Sequence, residues 1–566
     1  MKISICIALW LYSLCFVVCV NLCAAAALSS SSDLRLRGIL EGSQEFRSAH
    51  PWHNSSIQPS FLRREHLPLR PDVIHPEGSV HHEEHHGVET HEVHHGGHAE
   101  EYEGHEGSKH GLGYSLCLFG AVAFNMSLLY LINHEDPGII YATWQVLSMT
   151  LSIFVAVLAY ATIRAISVDA IAASHGPFAV MAASLALFFA IFVTNEAILY
   201  VLKSPKNAKL LHSGAALGCH VLGFAACYSF ADVQRAALFG TSALGNSLVV
   251  PIAALVLIGL AFVARFAHEW VETLHQAERE HLEDVKWEKE TEAMEDEAVS
   301  LCMGYLFVQT IAYGIRGSHD SIDAAIAPIN VSQRQVNLVL ILGGVLFVFV
   351  IFGFAFANWW MNRTIQRRQS VHGQLMQANT LNYEQVFVEN DVPWHVRLLM
   401  VVLHTLNVGM AWCVLLCAEW QVYSLGFEGS RIAACMLVGI VLTLLAFATI
   451  FVLEWIANHL HTQQKKAMDP KKVFRSMTLA LGIVIGFAWE RAFHVGLHDI
   501  AHAMTFSHAA EDFFSHLMSC CLVIIVTPAW AMYVFPMVQN SEQACNEKYE
   551  NQERSASGAS LSSDLR

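Results

Sequence analysis

The chain has 566 residues, of which 54% are hydrophobic and only 14% are charged. Soluble domains carry about 25% charged residues, so the composition excludes an ordinary soluble protein. The formal net charge is −16, and much of it is local, in residues 278–297 and in the amino-terminal segment. No face rich in Lys and Arg is visible, which excludes nucleic acid as a partner.

Residues 1–27 have the pattern of a secretory signal peptide. Lys2 precedes an apolar stretch at residues 3–20, and small residues follow at positions 24–27. Such a stretch directs the chain into the secretory pathway and is then removed. The alternative is an uncleaved first helix. Both interpretations place the following segment outside the cytosol.

Residues 28–112 form a polar segment without helical periodicity, which we expect to be disordered. Asn54 begins an Asn-Ser-Ser glycosylation sequon. We expect a multi-pass protein of the plasma membrane or an endomembrane. Scattered Arg residues leave a complex-plastid membrane open as a second address, although the acidic residues between them weigh against it.

Histidines interleaved with Glu and Gly fill the end of this segment. Neutral imidazole binds zinc, copper and nickel, and carboxylates add charge, so the tract is a candidate for weak, multi-site metal capture. The alternative is a solvated low-complexity tract whose histidines respond to pH. The histidines concerned are His81, His82, His85, His86, His91, His94, His95, His98, His105 and His110.

Apolar runs of about 20 residues, the length that crosses a bilayer, recur from Gly113 onward. We therefore expect an all-α, polytopic transmembrane helix bundle of about eleven spans in residues 113–537, and a disordered cytosolic tail in residues 538–566. The expected spans are residues 113–132, 139–163, 177–202, 211–230, 248–270, 299–316, 336–360, 396–419, 432–455, 473–489 and 513–537.

The distribution of Lys and Arg predicts the orientation, because cytosolic loops are enriched in both. Basic residues cluster in the connections at 203–209, 363–368 and 465–475. These connections lie on one side of the membrane, and they are cytosolic when the amino terminus is outside. Asn330, in a second sequon, then lies on the non-cytosolic side. The leader, the charge bias and the sequon agree.

Two apolar helices end in Glu-Trp and match without a gap. Residues 257–270 read LIGLAFVARFAHEW, and residues 442–455 read LTLLAFATIFVLEW. By our count they are four spans apart and run in the same direction, as in parallel internal repeats. Residues 356–360 give a fainter third match, so we expect a helix hairpin copied more than once.

Glu269 and Glu454, in the Glu-Trp pairs, have two interpretations. Trp prefers the headgroup region, and an acid beside it can lie in water. Alternatively, these carboxylates line a pathway, since charges within a bilayer are costly and typically functional. Other polar residues within apolar spans are pathway candidates too, with interhelical hydrogen bonding as the alternative for each. They are Glu196, Glu490, His212 and His404.

The segment after the tenth span is a candidate metal site. His494, His498 and His502 are spaced i, i+4 and i+8, which places three imidazoles on about one face of a helix. Zinc or another divalent metal is the cofactor that this face would bind. The alternative is a surface helix with pH-sensitive histidines.

Two further features have structural interpretations. The acidic run at residues 278–297 is expected to continue the fifth span into the cytosol as a solvated surface. Most Cys residues lie in the leader or within apolar runs, and the hydrophilic amino-terminal segment has none, so no disulfide framework is visible there. Buried structural thiols are the expectation.

The sequence favours a transporter or channel for a small ion or solute, linked to divalent metal or protons. The first alternative is a non-transporting membrane sensor or scaffold that responds to pH or metal. The second is a membrane enzyme with a His-bound metal, which is less favoured. No GxxxxGK[ST] phosphate loop and no GxSxG nucleophile motif is present. The expected partners are the lipid bilayer and the ion or solute, and a homo-oligomer stays open.

Overall fold

A computed structural model of the chain describes residues 106–169, 176–203, 208–236, 238–240, 242–275, 281–317, 331–378, 394–424, 431–463, 470–504 and 508–564. Within these residues all regular structure is helical. The predicted signal peptide, the sequons at Asn54 and Asn330, and the histidine tract from His81 to His95 lie outside the described residues.

The described residues form twelve α-helices, and eleven of them, α2–α12, make up ten spans long and apolar enough to cross a membrane. α1 adds a shorter apolar stretch at Leu118–Ile132. A π-helical turn at Ala165–Asp169 follows α2, and another at Trp530–Val534 joins α11 to α12. The helices are α1 Glu106–Ile132, α2 Pro137–Arg164, α3 Pro177–Leu202, α4 Ala208–Arg235, α5 Ala243–His275, α6 His281–Arg316, α7 Gln333–Ala378, α8 Trp394–Ser424, α9 Arg431–Gln463, α10 Pro470–Met504, α11 His508–Ala529 and α12 Phe535–Asp564.

This architecture confirms the predicted all-α, multi-pass bundle. Local signals set the start of α2: the Asp136 carboxylate accepts a hydrogen bond of 2.8 Å from the Gly138 amide, and Pro137 occupies the first turn, where its missing N–H has no cost. The predicted tail at residues 538–566 belongs to α12 as far as Asp564.

The helices divide into interior and peripheral sets. In the most apolar windows of α2 and α4, 83% and 78% of residues are buried, against 22% in α3 and α5. α2 packs on α4, α9, α10, α11 and α12. The peripheral helices expose large apolar side chains, such as Leu255, Phe262 and Phe266 on α5. A surface of this kind suits lipid tails, because they are as apolar as the side chains.

The helix contacts repeat with a shift of four helices. Within α3–α6, α4 packs on α3, α5 and α6, and α6 also packs on α3 and α5. Within α7–α10, α8 packs on α7, α9 and α10, and α10 also packs on α7 and α9. The Glu-Trp helices α5 and α9 occupy equivalent places, which supports parallel repeats. The repeated unit is four helices, or two hairpins, and the fainter match in α7 falls at the place equivalent to α3.

Close approach of helices depends on glycine at a few positions. A Cβ atom at Gly304 of α6 would lie 2.9 Å from the Thr405 carbonyl oxygen of α8, and one at Gly482 of α10 would lie 2.7 Å from the Cβ atom of Met149 on α2. Small residues let membrane helices pack closely enough for extensive van der Waals contact. α6 and α8, which belong to different repeats, are therefore held close together.

The sixth span differs from the sequence expectation. α5 is described as far as His275 and α6 from His281; the two helices pack on each other, with Arg265 Nη2 of α5 3.0 Å from Glu292 Oε1 of α6. The apolar span of α6 covers Trp287–Arg316 rather than 299–316. Residues 287–297 of the acidic run are thus not a solvated extension of α5. This half of the run enters the bundle, because its carboxylates find Arg and His partners on neighbouring helices.

Candidate cation site

The acidic half of α6, residues 287–297, presents carboxylates to three neighbouring helices. A helix turns by about 100° per residue, so acids that are close in sequence point in different directions. Arg397 of α8, Arg265 of α5 and His212 of α4 each contact one or more of these acids. The acidic residues of this half are Glu288, Glu290, Glu292, Glu295, Asp296 and Glu297.

Arg397 is the main basic partner of the acidic half. Its Nε and Nη2 atoms donate to the two carboxylate oxygens of Asp296, at 2.8 and 2.9 Å. Its Nη1 lies 2.6 Å from Glu292 Oε1, and its Nη2 lies 3.9 Å from Glu295 Oε2. One guanidinium therefore faces three carboxylates, so the cluster has an excess of negative charge. Arg265 lies 3.0 Å from Glu292 but is half exposed, and it offsets this excess only in part.

Glu295 and Glu196 lie in the protein interior with incomplete hydrogen bonding. Glu295 is buried and interacts electrostatically with Glu196 of α3. Within the described residues, no hydrogen-bond donor reaches the Oε1 atom of either carboxylate. The other oxygen of Glu196 lies 3.0 Å from His268 Nε2 on α5. A buried carboxylate oxygen without a donor is costly, so this arrangement favours occupation by a proton or a cation.

A second group of polar side chains joins α6 to α4. His212 Nδ1 lies 2.5 Å from Glu290 Oε2, and its ring packs on Phe535 with centroids 5.0 Å apart. His220 Nε2 lies 4.0 Å from Glu297 Oε1. His404 of α8 interacts electrostatically with Glu297 as well. Glu196, His212 and His404, which the sequence proposes as pathway residues, are thus all grouped around α6.

The other three proposed pathway residues lie elsewhere. Glu269 is exposed near the end of α5. Glu454 accepts a hydrogen bond of 3.2 Å from Lys548, which also donates to Asp136 at 2.7 Å. This ionic clasp of Glu454, Lys548 and Asp136 connects α9 and α12 to the loop before α2.

Glu490 is buried in α10, next to a separate ion pair. The following residue, Arg491, donates to the Glu419 carboxylate of α8. Adjacent residues on a helix point in different directions, so the Glu490 side chain does not lie on the face of α10 from which Arg491 contacts Glu419. The pair links α8 to α10, two helices of the same repeat.

The three histidines proposed as a metal site lie toward the end of α10. His498 Nδ1 is 3.3 Å from Glu511 Oε1 of α11, His494 interacts electrostatically with His516, and His502 is exposed. In the part of the chain that the structure describes, these three imidazoles do not bring three ligand atoms within 4.8 Å of one another. Metal binding by this face stays a prediction.

A buried ion pair that the sequence did not reveal lies at the opposite end of α4. Arg164 Nη1 donates to Asp232 Oδ2 at 2.9 Å, with side chains only 9% and 8% exposed. Ser184 Oγ lies 3.3 Å from the same Nη1 atom, and the Tyr228 ring lies 5.2 Å from the guanidinium carbon. Both charges lie just past the predicted ends of their spans, so hydropathy assigned them to loops. Arg235 Nη1, one turn later on α4, lies 3.3 Å from Asp232 Oδ1. Because both carboxylate oxygens have a basic partner, the arrangement indicates a structural role.

A cavity of about 470 Å³ opens between α3, α4 and the π-helical turn before α12. Its lining is mainly apolar and includes Leu199, Leu217, Met294 and Trp530. Asn195 is one of its few polar lining residues, and the Asn195 amide donates to the Gly218 carbonyl at 3.2 Å. The cavity suits an apolar molecule, so the acidic half of α6 is the better site for an ion.

The helices and this site define a class: a multi-pass helical membrane protein with carboxylates and imidazoles gathered inside its bundle. Comparison of the chain with protein-family models, with curated proteins and with solved structures finds no match.

Proposed function

We propose that the protein transports a small cation and that the acidic half of α6 is its cation site. One observation carries this proposal. Glu295 and Glu196 interact inside the bundle, and within the described residues no hydrogen-bond donor reaches the Oε1 atom of either carboxylate. Carboxylates inside a membrane are costly and mark ion or proton pathways by default. Their excess over nearby basic groups favours a cation over an anion.

The place of the site in the fold supports the proposal. α6 belongs to the first four-helix repeat, whereas Arg397 and His404 come from α8 of the second. Transporters built from repeats bind substrate at the repeat interface, near the middle of the bilayer. His220, opposite Glu297, is 12 residues into α4, or about 18 Å along it at 1.5 Å per residue. That depth is close to the middle of a bilayer core of about 30 Å.

The test is cation flux through the purified full chain in proteoliposomes. We expect at least one of H⁺, Na⁺, K⁺, Mn²⁺ and Zn²⁺ to be carried by the wild type. Glu295→Gln removes the buried charge with little change of shape and should slow this flux by about tenfold or more. Glu269→Gln is the matched control, since that side chain is exposed, and it should leave the flux unchanged.

Two results would contradict the proposal. One is a wild-type protein that is monodisperse and correctly inserted but moves no cation of the panel. The other is a Glu295→Gln variant whose flux equals that of the wild type.

A pH sensor is the second candidate function, and one observation favours it. Three His–carboxylate contacts at 3.3 Å or less join different helices in the described residues, and imidazole as a side chain gains charge between about pH 7 and 5. The contacts are His212–Glu290, His268–Glu196 and His498–Glu511. Hydrogen exchange at both pH values, without flux at either, would select this function.

A further inference from the structure

Three potential metal ligands converge where α4 packs on α6. The ligand atoms of Cys219, His220 and Glu297 all lie within 4.8 Å of one another. We infer that these residues bind a transition-metal ion of the zinc type. Thiolate, imidazole and carboxylate are the ligands that zinc takes in proteins, at about 2.0–2.3 Å from the ion. Small adjustments of the side chains would therefore bring all three into the coordination shell.

His220 is already oriented as a ligand. Its Nδ1 atom lies 2.8 Å from the Ala216 carbonyl oxygen, one turn earlier on α4. Because a carbonyl only accepts, Nδ1 must carry the proton. The Nε2 lone pair is then left facing Glu297 Oε1 at 4.0 Å. Metal-binding histidines in proteins typically use the second ring nitrogen in this way to fix the tautomer and the ring orientation.

Charge and access also fit a divalent ion. A thiolate and a carboxylate together neutralise a dication, which lowers the cost of holding it within the membrane. Cys219 and His220 form a buried wall, whereas the Glu297 side chain is 42% exposed. The site thus has three protein ligands and one open side, as in zinc sites that exchange a ligand rather than purely structural ones.

Binding would release one proton. Within the described structure Cys219 Sγ lies 3.0 Å from the Ala216 carbonyl oxygen, so the thiol is protonated and donates there. When the ion binds, the S–H bond breaks, the sulfur–metal bond forms, and the proton leaves to solvent. His404, which interacts electrostatically with Glu297, offers a further ligand from the second repeat.

The idea that this ion is transported rests on the proposed function. The binding of the ion does not depend on that proposal. The experiment is therefore a cobalt titration of the purified full chain under reducing, oxygen-free conditions. Co²⁺ replaces zinc in such sites and gives a near-ultraviolet charge-transfer band when thiolate binds. The histidine-rich tract at residues 81–110 contains no Cys, so ions held by it do not produce this band.

We expect the wild type to show the thiolate band at about one Co²⁺ per chain. Cys219→Ser should abolish it, and His220→Asn or Glu297→Gln should weaken cobalt affinity by about tenfold or more. Cys227→Ser is the matched control and should keep the band. Cys227 is a buried thiol of the same helix, but it contacts Cys302 instead.

Absence of the band at saturating Co²⁺, or its persistence in Cys219→Ser, would overturn the inferred site. The flux assay separates this result from the transport proposal. A thiolate band without flux of any cation would support the metal site and contradict transport. Flux without the band would support transport and contradict the metal site.

Discussion

Arg397 of α8 holds Asp296 of α6 by two hydrogen bonds, at 2.8 and 2.9 Å. The two residues belong to different four-helix repeats, so this ion pair crosses the repeat interface beside the candidate cation site. A guanidinium fixes a carboxylate at both oxygens, which an ammonium cannot do. The pair therefore sets the relative position of α6 and α8.

Replacement of Arg397 should show how much the bundle depends on this pair. Breaking a fully buried ion pair lowers the free energy of unfolding by about 3–5 kcal/mol. The Arg397 side chain is 25% exposed, so solvent screens part of the interaction. We therefore expect a loss of about 2 kcal/mol for Arg397→Gln. Arg397→Lys keeps the charge and should lose less. Thermal unfolding in detergent measures both, and equal losses would contradict the importance of the two-point geometry.

The Arg164–Asp232 pair should behave as a structural pair that carries no ion. Asp232→Asn leaves Arg164 buried without its counter-charge, and we expect a loss of about 3–5 kcal/mol. The double variant Arg164→Met/Asp232→Leu removes both charges and should recover most of that loss. A double variant less stable than Asp232→Asn would be inconsistent with this account.

Glu454 should be important for helix anchoring rather than for transport. Lys548 binds both Glu454 and Asp136, so Glu454→Gln weakens the ionic clasp that connects α12 to α9. We expect faster amide hydrogen exchange in α12 with cation flux unchanged within about twofold. A flux loss as large as that of Glu295→Gln would return Glu454 to the pathway.

Gly304 should be intolerant of a side chain, because a Cβ atom there meets backbone of α8 that cannot move aside. Overpacking of this kind costs about 1–3 kcal/mol, which we expect for Gly304→Ala. Gly344 of α7 is the control, since a Cβ atom there has no atom within 4 Å. Gly344→Ala should be neutral or stabilising by up to about 1 kcal/mol. Equal destabilisation of the two variants would contradict close packing of α6 on α8.

Most of the fold could be predicted from local signals. Long apolar runs, the Asp136-Pro137 helix start and the repeated Glu-Trp endings each depend on residues close together in the chain. The equivalent contacts of α5 and α9 support the predicted parallel repeat, with a unit of two hairpins rather than one.

The acidic half of α6 was not recognised because averaged hydropathy hides a narrow apolar stripe among charges. The residues of this stripe recur at helical spacing, and this periodicity in the sequence indicates a buried helix face. In the structure every one of them is buried. The apolar members of the stripe are Trp287, Met294, Ala298 and Leu301, and the buried Thr291 lies on the same face.

Long-range partners could not be predicted from spacing. Arg397 is 101 residues from Asp296, and Lys548 is 94 residues from Glu454. The local sequence around a carboxylate near a span end does not reveal its partner. Glu454 pairs with a distant Lys, whereas Glu196 interacts with another acid inside the bundle. Only the packing of the helices distinguishes the two cases.

Cation flux of Glu295→Gln relative to Glu269→Gln tests the central claim most directly. Our account predicts that the first variant loses about tenfold or more of the wild-type rate while the second keeps it. Equal rates for the two variants, in protein shown to be folded and inserted, would contradict a cation site on the acidic half of α6.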